Sequence, residues 1–146
     1  MTAWTPSRIV SAVALLAIGF TCGSWNAATV AHAQSGKVFE LRTYTAPEGK
    51  LPDLNARFRN HTMRIFEKHG MKSVGYWVPQ DAPDHTTKLV YIISHDSRDA
   101  AKKNWADFQA DPEWKKVKAA SEADGIPLAA KVDSVTMKAT DYSGIK

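Results

Sequence analysis

Between Lys37 and Ala139 the apolar residues of this chain switch between a spacing of two and the spacing of a helix, and the order of those switches leaves few folds open. In KVFELRTYT, residues 37–45, Phe39, Leu41 and Thr43 share one face while Val38, Glu40, Arg42 and Tyr44 share the other, which is the alternation of a strand. After the turn residues Ala46-Pro47-Glu48-Gly49, the side chains of Leu51, Leu54, Phe58, Ile65 and Phe66 recur at helical spacing as far as His69. Pro52 falls in the first turn, where a missing N–H costs little, and Gly70 stands where a helix ends in a left-handed residue. MKSVGYWV, residues 71–78, alternates again, and beyond the polar PQDAPDHTT the run KLVYIIS, residues 88–94, supplies the other strand of an antiparallel hairpin.

Asp96 and Ser97 are N-cap candidates for a second helical stretch that carries Ala101, Trp105 and Phe108 on one side. Asp111-Pro112-Glu113 restarts that helix, with Asp as cap, Pro at the first position and an acid near the positive helix end. Trp114, Val117 and Ala120 continue it until Gly125-Ile126-Pro127, and KVDSVTMKA, residues 131–139, reads as the last strand. The order β-α-β-β-α-β without internal repeat predicts an α+β, ferredoxin-like domain: a four-stranded antiparallel sheet with its helices on one face. The other face receives either Val74, Tyr76 and Val78 or Ser73, Gly75 and Trp77, and is apolar enough to need a partner.

The first residues follow a different logic. Arg8 precedes the apolar run IVSAVALLAIGF, and Ala31-His32-Ala33 is an A-x-A cleavage pattern, so residues 1–33 read as a signal peptide. The run is short of the ~20 apolar residues that span a bilayer, although an uncleaved anchoring N-terminus is the alternative. The expected mature chain is therefore a single domain over residues 34–146, exported to a periplasm or secreted, with no membrane attachment after cleavage. Its 19 basic residues less Arg8, against 15 acidic ones, leave a net charge of +3, too mild to imply nucleic acid. Cys22 is the only cysteine and lies in the signal, so neither disulfides nor thiolate chemistry are expected of the mature domain.

Taken together, ELRTYT at 40–45, RFRNHT at 57–62, FEKHGMKSVGYW at 66–77, LVYI at 89–92 and DPEW at 111–114 resemble the NIPSNAP family, in order and in spacing. The resemblance implies a homodimeric α/β barrel in which two ferredoxin-like subunits set their sheets face to face with helices outside. In such a barrel Glu40 and Arg42, on the less apolar face of the first strand, are expected to pair across the dimer. The family has no generally established reaction. Relatives in the wider barrel superfamily include cofactor-independent monooxygenases and haem-handling enzymes, and kinship at the level of fold does not carry an activity across.

Two functional readings follow. One is a binding protein, with Tyr44, Phe58, His61, Tyr76, Trp77, Tyr91 and Trp105 as the candidates to line a pocket for a small apolar or aromatic ligand, or for a protein partner. The other is a monooxygenase or haem-using oxidoreductase with His61 as the candidate catalytic residue or axial ligand. On a helical wheel His61 sits about 80° from Leu51, at the border of the apolar stripe, whereas His69 in the last turn is explained by the helix C-terminus. No histidine pair has metal-ligand spacing, so no metal site and no cofactor are predicted, with a single haem axial histidine left open.

Overall fold

A computed structural model describes residues 36–146; the expected signal segment lies outside the described residues. The elements run β1 (Val38–Thr45), α1 (Leu51–Arg57), a π-helical turn (Phe58–Thr62), α2 (Met63–Lys68), β2 (Lys72–Trp77), β3 (Lys88–His95), α3 (Arg98–Ala110), α4 (Pro112–Ser121) and β4 (Lys131–Met137). The strands form one antiparallel sheet in the order β2-β3-β1-β4, the ferredoxin-like arrangement expected from the sequence.

The interior lies between the helices and the sheet face that carries Leu89, Tyr91, Ile93 and His95 of β3, all buried. Their partners on β1 are Tyr44, Arg42, Glu40 and Val38. Above them pack Leu54, Phe58, Ile65, Phe66 and Phe108, so the helical stripe read from the sequence does meet the sheet. Glu40 and Arg42 therefore face the helices of their own chain. This corrects the expectation that they pair across a dimer: the less apolar face of β1 is the inner one.

Two local irregularities decide which side chains point inward. The helix expected over residues 50–69 is interrupted by the π turn, where the Met63 N–H reaches the Phe58 carbonyl and the Thr62 hydroxyl donates to the Arg57 carbonyl at 3.3 Å. Such one-turn bulges re-aim the residues around them. In β2 a bulge between Ser73 and Gly75 breaks the strict alternation, so that Ser73 and Tyr76 share the inner face, linked by a 2.9 Å hydrogen bond. Val74 and Trp77 are left on the outer face, and neither of the two alternating sets proposed from the sequence is realised intact. The Trp77 ring lies on Gly75, where a Cβ would come within 2.5 Å of the indole.

The outer sheet face presents Leu41, Val90, Ile92 and Val135, with Phe39, Val74 and Met137 at one end. There the C-terminal residues turn back over the sheet, and Phe39, Val74, Ile92, Met137 and Ile145 enclose a recess of about 290 Å³. Gly70, with φ +74°, ends α2 as expected. Ser97 caps α3 through a bond from the Ala100 N–H at 3.0 Å, and Asp111 caps α4 through a bond from the Glu113 N–H at 2.7 Å.

Candidate functional site

The most unusual chemistry of the interior is a charged pair under α3. Glu40 and Arg42 stand two apart on β1, and the Arg42 Nη1 donates to Glu40 Oε1 at 2.7 Å. The same carboxylate accepts from the Ser134 hydroxyl of β4 at 2.6 Å, from the indole N–H of Trp105 at 2.6 Å and from His95 Nε2 at 3.3 Å. The Asn104 amide nitrogen lies 3.3 Å from His95 Nδ1, and with Nδ1 accepting from it, Nε2 carries the hydrogen that His95 gives to Glu40. Burial opposes ionisation of Glu40, but the bonds from His95, Ser134 and Trp105 and the Arg42 charge outweigh it, and the carboxyl is held down at about 2.

Arg42 is held on one side only. Its guanidinium lies over the Trp105 ring, 4.2 Å from the centroid, with the Tyr44 ring at 5.5 Å. Its Nε is buried and has no partner among the described residues, and the same is true of the hydroxyl of Tyr91. Tyr91 is the cross-strand neighbour of Arg42 on the same sheet face. Burial first, and then the adjacent Tyr44, raise the Tyr91 hydroxyl well above its ordinary 10, so it serves as a donor at any physiological pH. Beside this group the inward side of β4 is not covered: Val132, Ser134 and Thr136 are exposed, and the Arg42 side chain keeps 16 % of its surface.

Of the sequence candidates, Tyr44, Phe58, Tyr76, Tyr91 and Trp105 come together here. Tyr91 stacks on Tyr76 at 5.5 Å and meets Tyr44 at 5.3 Å and Phe58 at 5.2 Å, while Phe66 joins this set to Trp105. The other two candidates lie elsewhere. Trp77 is half-exposed on the outer sheet face. His61 is on the exposed side of the π turn, in a groove of about 650 Å³ that it lines with Asn60, Glu113 and Lys116. It does not approach Arg42, because the apolar stripe it borders is filled by Phe58 and Thr62.

Glu40, Arg42, His95 and Ser134 are site residues that sequence reasoning left outside the pocket. One signal was present: continuing the β3 alternation Leu89, Tyr91, Ile93 by one step puts His95 on the inner face. His69, expected to do no more than end its helix, also bonds Asp111 Oδ2 through Nε2 at 2.7 Å, and Lys68 reaches the same oxygen at 2.7 Å. These bonds, Lys68 first and then His69, hold Asp111 well below the usual carboxylate range. Among the described residues no cluster of three or more His, Cys, Asp or Glu side chains is placed to hold a metal ion, and no helix is long and apolar enough to cross a membrane.

A family model described as NIPSNAP matches residues 39–144. The chain is similar to the structure of a NIPSNAP family protein of unknown function from Agrobacterium tumefaciens, with 23 % identity, a TM-score of 0.64, and coverage of 79 % of this chain and 98 % of that one. It is similar to an uncharacterized NIPSNAP-like domain protein from Burkholderia xenovorans at 16 % identity and a TM-score of 0.63, over 75 % and 90 % of the two chains. A further NIPSNAP family protein of Agrobacterium tumefaciens shares 18 % identity at a TM-score of 0.63, over 74 % and 90 %. No curated protein matches the chain.

Proposed function

The chain belongs to the NIPSNAP family, and from that premise we propose that it is an exported homodimeric α/β barrel that binds a small aromatic or apolar ligand beside Arg42. The observation that carries the ligand reading is the convergence of Tyr44, Tyr91 and Trp105 on a guanidinium whose Nε has no partner among the described residues, next to the exposed strand β4. Aromatic walls with a few convergent polar groups are what a small-molecule site requires. An interior built for packing alone would not leave two donors without partners, since each costs about 1–3 kcal/mol when unpaired.

Binding is favoured over catalysis by the state of the nearby titratable groups. The Glu40 carboxylate already accepts four hydrogen bonds, and both nitrogens of His95 are engaged, so neither is free to take a proton from a substrate. His61, the candidate for a haem or acid-base role, stands in the outer groove. The homodimer is supported by the outer sheet face, where Val135 is 55 % and Trp77 51 % exposed among other apolar residues. Export is supported by the Arg8, apolar-run and Ala31-His32-Ala33 pattern.

Native mass spectrometry of the protein recovered from the outer compartment of its expression host tests all three parts. The expected spectrum shows two chains, each beginning near residue 34, with additional mass from a small molecule that is released on denaturation. A chain that keeps residues 1–33 counts against export, a single-chain mass counts against the barrel, and failure to take up any added aromatic compound counts against the ligand reading.

A further inference from the structure

We propose that the ligand taken at Arg42 is a planar aromatic carboxylate, its two oxygens held by the free edge of the guanidinium and by the Tyr91 hydroxyl; this rests on the ligand reading above. The unpaired groups are all donors. Arg42 has spent Nη1 on Glu40, which leaves Nε and Nη2 side by side on one edge, and that edge matches the two oxygens of a carboxylate. Tyr91, opposite Arg42 in the β1–β3 register and fully buried, adds a third donor with no partner among the described residues. A group that only donates, such as an ammonium, would leave all of them unsatisfied, and an amide would offer one acceptor oxygen where a carboxylate offers two.

Glu40 does not repel such an anion as a free carboxylate would. Four hydrogen bonds from four residues already spread its charge, and its role is to hold the guanidinium over Trp105 with Nε and Nη2 turned away from the carboxylate. Glu40 is thus a positioning residue, and Arg42 and Tyr91 are the contacts. The body of the ligand lies against the Tyr44 ring and the exposed side chain of Val132, the cross-strand partner of Tyr44 on β4.

The test is calorimetric titration of the purified protein, as recovered from the outer compartment, with 2-naphthoate and with its neutral isostere 2-naphthamide. Naphthoate is expected to bind at least tenfold more tightly, because a hydrogen bond to a charged acceptor is stronger than one to a neutral acceptor. Tyr91→Phe removes only an unpaired hydroxyl, so its unfolding midpoint should be unchanged or higher, while its naphthoate affinity should fall about tenfold. Arg42→Gln should abolish the preference for the acid over the amide. Equal affinity for acid and amide in the unmodified protein overturns the carboxylate assignment and leaves the aromatic site standing. Undiminished naphthoate affinity in Tyr91→Phe overturns the donor arrangement, and binding of neither compound overturns the aromatic-ligand reading itself.

Discussion

A carboxylate that is 7 % exposed beneath a helix is costly unless every lone pair is used, and Glu40 meets that condition through Arg42, Ser134, Trp105 and His95. The sign of its effect on stability follows from its folded pKa of about 2 against an ordinary 4.5. Ionised Glu40 contributes about 3 kcal/mol, all of it present above about pH 4.5 and lost as the pH falls toward 2. Denaturant unfolding at pH 7 and at pH 3 should show about 2 kcal/mol of that loss, the rest following below pH 3, and the difference should shrink in Glu40→Gln. At neutral pH the same substitution is expected to cost about 2–4 kcal/mol, because an amide turns two acceptor positions into donors facing donors. None of this was legible in the sequence. Glu40 and Arg42 read as the wetter face of a strand, and only the helix laid over them turns that face into the interior.

At the scale of elements, the signals that act through neighbouring backbone were readable, and those that depend on distant packing were not. Ser97 and Asp111 were recognisable as caps because a side-chain oxygen and the N–H two or three residues on are all a cap needs. Their weights differ for a reason outside the helix: Asp111 also receives Lys68 and His69 from the end of α2, whereas Ser97 bonds Ala100 alone. Ser97→Ala is expected to lower stability by about 1 kcal/mol, and Asp111→Ala should lower the thermal midpoint by more, which differential scanning calorimetry of the two variants will rank. The π turn and the β2 bulge left no local mark. The residues of FRNHT and SVG are compatible with a regular helix and a regular strand, and it is the fit of Phe58 and Tyr76 into one aromatic cluster that accompanies the extra residue in each.

At the scale of the whole molecule, the outer sheet face gives the sharpest test of assembly. Val135 stands on edge strand β4 opposite Leu41 and is half-exposed. Val135→Asp places a charge on this face without touching the interior, and should convert a two-chain species to one chain in sedimentation velocity while the far-ultraviolet circular dichroism stays the same. A two-chain species that survives the substitution would move the interface elsewhere. The sequence by itself determined the order of elements, the helix ends and the apolar stripe, because period, caps and turn residues act over a few positions of chain. Five of the seven side chains it offered as pocket candidates now share the interior, since large aromatic rings in such elements are buried wherever the chain folds. Only the tertiary structure decided which face of β1 is inside, that His61 lies away from Arg42, and that Arg42 and Tyr91 keep donors unpaired. Those outcomes depend on contacts between residues up to 94 positions apart, Glu40 with Ser134, and no local periodicity carries that information.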